Sequence, residues 1–416
     1  MSNFAEKHPE LIREYARITV QIGINVQKGQ DVVIACPVEH YEFARLVAKE
    51  AYAAGAGEVI MQWRDDPITK EFFLHASDEA ISTIPDYRAE MINYHVRRKC
   101  GRIAIIGEDP EGMTGIDFKR MTTYRKAMNE KTLESTKAMM ASEIPWTVVS
   151  VPQKDWAHKV FPDMTVEEAM DCLWEKILSS VRVTEGKNAV EEWNKHNENL
   201  KSHCAALNLA QYSRLHYVNG IGTDFTVGLV KDHIWCGGSE KAGTGVIFQA
   251  NMPTEEIFTM PDSRVAEGTL VASRPLSYQG TLIDGFSLTF HEGKVVEYHA
   301  EKGEDALKAL LDMGENAKRL GEVAIVPYSS PISQLNMLFY ETLFDENAAC
   351  HFALGECYPT TIKGGENYSD EEMAAHGGNI FHEQHEDFMV GTPDLTITGI
   401  KDDGSETVIF KNGEWV

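Results

Sequence analysis

Within FHEQHEDFMVGTPDL, residues 381–395, two histidines and three carboxylates fall inside six residues, and an apolar run follows at once. HEQH at 382–385 is one residue short of the helical HExxH zinc motif. On a helix, His382 and His385 would stand at i,i+3 and the glutamate would miss its catalytic placement. A strand suits the stretch better. Side chains two apart share a face of a strand, so His385 and Asp387 point one way and Glu386 and Phe388 the other. A neutral imidazole beside a carboxylate suits Zn²⁺, Co²⁺ or Mn²⁺. A solvated surface pair is the ordinary alternative for so short a motif.

Three other segments repeat the theme. ANMPTEEIFTMPD sets Glu255 and Glu256 before an apolar run. RLGEVAIVP sets Glu322 at the mouth of a β-branched run, and FDENAACHFALGECYP carries Glu346, His351 and Tyr358. Any one of these is ordinarily a turn carboxylate or a satisfied core histidine. Four such edges in one region are harder to call chance, because buried charge is costly unless it is paired or coordinated, but spacing alone does not bring the four segments together. Other chemistries leave no trace. GIGTDFTVG lacks the third glycine of a dinucleotide fingerprint and reads as a turn, and neither GxxxxGK[ST] nor GxSxG occurs.

The elements that must position these residues divide in texture. DVVIACPV, GEVIMQW, CGRIAIIGED and WTVVSVPQ are short apolar strands alternating with helical segments such as EFARLVAKEAYAAGA. That alternation predicts βαβ units and a mostly parallel sheet. MTVEEAMDCLWEKILSSVRV and AVEEWNKHNENLKSHCAALN follow as helices. From about Leu215 the period becomes two, with DDGS and KNGE as hairpin turns and one helix, GEDALKALLDMGENA, interrupting. The expected fold class is α/β. An N-terminal layered domain with a mostly parallel sheet spans residues 1–185, and a β-rich α+β catalytic and dimerisation domain spans residues 186–416.

Length and charge exclude several partners. The chain has 416 residues and a net charge of −25, from 64 acidic and 39 basic side chains. That balance disfavours nucleic acid and anionic membranes. No stretch approaches a membrane span and the N-terminus has no apolar signal core, so a cytoplasmic location is expected. Seven cysteines without a CxxC pair agree with a reducing compartment.

Taken in order, NMPTEEIFTMPD, LGEVAIVP, DENAACHFALGECYP and HEDFMVGTPDL resemble the motifs of the bacterial aminopeptidase T / aminopeptidase S / PepS family of metallo-aminopeptidases. GINVQKGQDVVI resembles the family's opening. The resemblance implies two divalent metal ions per chain (Zn, Co, Mn or Mg), held by Glu256, Glu322, Glu346, His351, His385 and Asp387. Glu322 would bridge the two ions, and Glu346 could equally stand behind the ligands. Glu255 is the candidate general base and Tyr358 the candidate oxyanion donor, each weighed against a purely structural role. The expected activity is removal of N-terminal residues from short peptides by a metal-activated water. Part of the case for a homodimer enclosing the site is this resemblance, and part is the frequency of two-fold assemblies. Two rivals stand beside this reading. One is another dinuclear hydrolase, a phosphoesterase or amidase, although bases are scarce near the ligands and Lys363 is the nearest after His351. The other is a non-enzymatic α/β binding protein with a solvated acidic surface.

Overall fold

The structure, a computed structural model, describes residues 3–278 and 280–416. It has the expected α/β content and divides into two compact units. The first comprises Met1–Lys195 and Ser239–Pro253, the second His196–Gly238 and Thr254–Val416.

Five parallel strands form the sheet of the first unit. Val32–Pro37 lies between Val59–Arg64 and Gly101–Ile106, followed by Trp146–Ser150 and then Asn251–Met252. Val32–Pro37 is buried at every position, as a strand covered on both faces must be. Helices connect the strands, and their ends obey local chemistry. Thr165 opens Val166–Ser180 with a capping box, accepting from the Glu168 N–H while the Glu168 carboxylate accepts from its own.

The expected single break near residue 185 differs from the observed division. The helix Ala189–Ala210 runs unbroken through that region, and the units part within it. The segment Ser239–Pro253 then returns to the first unit, because Asn251 and Met252 pair with Val148 and Val149. A two-residue strand flanked by turns has no period from which that return could be read.

Two antiparallel sheets build the second unit. One has nine strands. It runs from Leu276–Tyr278 through Thr281–His291, Pro261–Val271, Asp224–Leu229, Arg214–Val218, Thr396–Ile400 and Glu406–Lys411 to Glu414–Trp415, with Lys294–Lys302 also paired to Thr281–His291. The other has five, in the order His385–Met389, His351–Gly355, Leu320–Ile325, Ile257–Thr259 and Cys236–Gly237. Val323, Ile325, Phe352, Leu354 and Phe388 of the smaller sheet share one apolar core with Tyr217, Phe225, Phe286 and Phe290 of the larger. The turn at Asn412 and Gly413 has positive φ at both residues, as a tight two-residue hairpin requires. The helix Glu304–Leu311 is where it was expected, but it is not alone. Pro331–Leu335, Thr342–Asp345 and Asp370–His376 are also helical, each too short to leave a periodic signal. Among the described residues no helix is long and apolar enough to cross a membrane.

Candidate metal centre

The five-stranded sheet spends one face on the core and the other on polar side chains. Side chains alternate along each strand. With Val323, Phe352 and Phe388 committed to the core, Glu322, His351, His385 and Asp387 project from the opposite face. HEQH is not helical: residues 382–383 form a turn, and the strand begins at His385.

Register then fixes who meets whom. Ala353 lies opposite Glu322 on one side and Asp387 on the other. Adjacent strands stand roughly 4.8 Å apart, and the small methyl of Ala353 leaves the space between the two carboxylates open. Among the described residues, two groups could hold a cation: Glu256, Glu322 and His351, and Glu322, His385 and Asp387. Within each, the donor atoms lie within 4.8 Å of one another, and Glu322 belongs to both. His351 Nε2 is 2.9 Å from Glu256 Oε2 and 3.5 Å from Glu322 Oε1. His385 Nε2 is 3.7 Å from Glu322 Oε2 and 3.6 Å from Asp387 Oδ1. Glu322 is 4% exposed and His351 1%.

Both imidazoles are oriented from behind. His351 Nδ1 lies 3.0 Å from the Ala349 carbonyl and His385 Nδ1 2.7 Å from the Glu356 carbonyl. A carbonyl only accepts, so each Nδ1 carries a proton and each Nε2 faces the carboxylates. Metal-binding histidines are held in this manner.

The donor set fits divalent cations on three counts. Its chemistry is imidazole plus carboxylate. Asp387 is 8% exposed, and no hydrogen-bond donor among the described residues reaches its Oδ1. The charges are also unbalanced. Burial, with repulsion from Glu256 and Asp387, pushes the Glu346 carboxyl well above the usual carboxylate range. Burial likewise pushes Glu322 up, against the pull of His351 and His385. The carboxylates in turn pull the His351 imidazole well above its ordinary value, against burial. A cation would supply the missing charge.

The remaining expected residues surround these two groups. Glu346 is half-buried at the start of the turn Glu346–Ala348 and belongs to neither tight group. Glu255 is 3% exposed, and its carboxylate lies 3.8 Å from His196 Nε2. Tyr358 sets its ring edge-on to His385, with centroids 4.9 Å apart. Burial and then the charges of Glu322 and Asp387 raise its phenol well above the ordinary value, so it holds its proton.

Two contributors escaped the sequence. Asn347 is fully buried; its Oδ1 accepts from the Glu255 N–H at 2.7 Å, and its Nδ2 donates to Leu343 O at 3.0 Å and to Glu346 Oε1 at 3.3 Å. It ties the segment bearing Glu255 to the segment bearing Glu346. His196, bonded to Thr254 O at 2.8 Å, flanks Glu255 from the long helix. Asn347 adjoins Glu346 in the DEN stretch, which is a faint signal, whereas His196 offers none.

Residues 8–415 match a protein family described as thermophilic metalloprotease (M29). The chain is 42% identical to aminopeptidase PepS of Streptococcus thermophilus, covering 100% of this chain and 99% of that protein. It is 41% identical to aminopeptidase AmpS of Bacillus subtilis, with both chains covered in full. It is 35% identical to aminopeptidase T of Thermus thermophilus, covering 97% of this chain and 98% of that one. The solved structure of wild-type AmpT from Thermus thermophilus superposes with a TM-score of 0.91 at 34% identity, over 98% of this chain and 100% of that chain.

Proposed function

We propose how this chain works from one premise: it belongs to the thermophilic metalloprotease (M29) family and is a metal-dependent aminopeptidase. The site would hold two divalent cations per chain through Glu256, Glu322, Glu346, His351, His385 and Asp387, with Glu322 shared. The observation that carries this reading is the membership of Glu322 in both donor groups. Two imidazoles among carboxylates favour zinc, cobalt or manganese over magnesium. Bound cations would supply Lewis acidity toward the scissile carbonyl and acidify a water to near neutrality.

The chain's own residues supply the rest. The Glu255 carboxylate takes a proton from the attacking water and hands it to the departing amine nitrogen. Its backbone is pinned by Asn347, so the carboxylate is held in place. Tyr358, protonated, donates its hydroxyl hydrogen to the oxyanion formed at the carbonyl. A bound cation would also offer a position to a peptide's neutral α-amine, which would direct cleavage to the first residue. No arginine or lysine stands in either donor group to clamp a phosphate ester, so only the cations would hold one.

Metal analysis of the purified protein, with parallel assays on a leucyl anilide and phenyl phosphate, tests the reading. Two equivalents of a transition metal and chelator-sensitive anilide hydrolysis are expected. Phosphate-ester hydrolysis in place of anilide hydrolysis would overturn it. We also read the protein as a cytoplasmic homodimer whose second unit helps enclose the site. All seven cysteines are free thiols, in keeping with a reducing compartment. Light scattering at micromolar concentration checks the assembly. A monomer that trims dipeptides and folded proteins equally well would exclude the enclosed site.

A further inference from the structure

Every residue of the metal site lies in the second unit, yet the first holds a cavity of about 610 Å³. Small organic ligands occupy clefts of about 300–1,000 Å³. The topology of the parallel sheet gives this cavity its place. Numbered along the chain, the five parallel strands lie in the order 2-1-3-4-5. The winding therefore reverses between the first strand, Val32–Pro37, and the third, Gly101–Ile106. Ligands of open parallel sheets settle beyond the carboxyl ends of the strands at such a reversal. The cavity is lined there by His40, just past the first strand, and by Val151 and Gln153, just past the fourth.

Gly107 lets these strand exits converge. It leaves the third strand at φ +130°, and a Cβ on it would stand 1.9 Å from the Val151 carbonyl oxygen. Its own carbonyl lies 3.0 Å from His40 Nε2. Since a carbonyl can only accept, Nε2 bears the proton and Nδ1 presents a lone pair. His40 is 5% exposed and lines the cavity, and no donor among the described residues meets its Nδ1. Burial lowers the imidazole pKa to about 4, so the lone pair survives at neutral pH.

The walls state the rest of the requirement. Phe43, Met170 and Trp174 offer an apolar bed, while four glutamates, Glu39 and Glu167 among them, face a single lysine. A phosphate or carboxylate ligand would meet a lone pair and an acidic rim, which disfavours the anionic cofactors that such sheets often carry, even with the Arg64 cation acting on His40. We propose that this crevice is a second binding site, for a primary ammonium on an apolar or aromatic body, with the ammonium donating to His40 Nδ1 and the body lying against Phe43 and Trp174. Exposed acids alone would not mark a site; a buried histidine with an unpartnered Nδ1 in the wall of a ligand-sized cavity does.

Calorimetric titration of the full-length, metal-loaded protein with 2-phenylethylamine tests the assignment. The matched anion is 3-phenylpropionate, which has the same ring and the opposite charge. Saturable amine binding is expected, about tenfold or more tighter than the anion. His40→Phe should weaken it by a similar factor, because the acceptor is gone. A Glu39→Gln/Glu167→Gln double variant, altered only at exposed positions, should weaken it severalfold and serves even if His40→Phe fails to fold. Both variants should hydrolyse a leucyl anilide at near the unaltered rate. Amine binding that the folded variants leave unchanged would locate the amine at the metal site and overturn the proposal. Equal binding of the anion, or no saturation below about 10 mM, would overturn it too.

Discussion

Val32–Pro37 and Leu320–Ile325 are both six-residue strands buried at every position. The first, VVIACP, is apolar throughout; the second, LGEVAI, carries Glu322 at its third place. In the first unit, helices cover a parallel sheet and both faces of the strand are packing surface. In the second, an antiparallel sheet gives one face to the core and keeps the other for side chains that do chemistry. A carboxylate as buried as Glu322 costs several kcal/mol when alone. Its presence on a strand of otherwise similar burial marks a place where stability is given up for a site. The first unit holds its own chemistry differently, beyond the strand ends, where Gly107 and His40 meet.

The largest test of this contrast makes the second strand resemble the first. Glu322→Ala should abolish peptidase turnover and lower the content of both metals while circular dichroism stays unchanged. With metal removed, the sign of the stability effect should reverse. The substitution removes one of the buried carboxylates that two imidazoles must otherwise balance, so the metal-free variant should melt no lower than the metal-free parent. A variant that keeps two metals and near-normal turnover would end the assignment of Glu322 as the shared ligand.

Glu255→Gln leaves the sheet and its donors intact and removes only the proton carrier. It should reduce kcat by ~10² to 10⁴ with both metals retained. If activity instead declines in proportion to metal content, Glu255 supports the ligands.

Asn347→Ala should have a smaller effect and a different signature. It strands the buried Glu255 N–H, which costs about 1–3 kcal/mol, visible as a lower melting temperature. Because that bond positions the carboxylate, kcat should drop with little change in KM. A change in KM alone would separate Asn347 from the positioning of Glu255.

The least effect on catalysis is expected from the other unit. Gly107→Ala forces a Cβ against the Val151 carbonyl, at a φ that L residues rarely adopt and that by itself costs about 1–3 kcal/mol. Denaturation should occur earlier, while metal content and kcat per folded molecule stay the same. Loss of metal in this variant would show that the two units do not separate structure from chemistry as described.

Several features of this protein were determined by sequence alone. Alternating strand and helix patterns gave the parallel sheet, because strands buried on both faces read as short apolar runs between amphipathic helices. Period-two alternation placed His385 and Asp387 on one face and Phe388 on the other, and the structure has them so. The motifs, matched in order, carried the family. The tertiary structure decided what depends on register and return. Whether Glu322 stands between two groups of donors depends on Ala353 lying opposite both Glu322 and Asp387. Three strands far apart in sequence meet there through backbone hydrogen bonds, which leave no mark in residue spacing. Asn347 and His196 reach Glu255 across the fold for the same reason. The return of Ser239–Pro253 to the first sheet rests on a two-residue strand. The tautomer of His40 is set by the carbonyl of Gly107, just past the end of a different strand. Local pattern fixes which face a side chain takes; only the packed chain fixes what stands opposite.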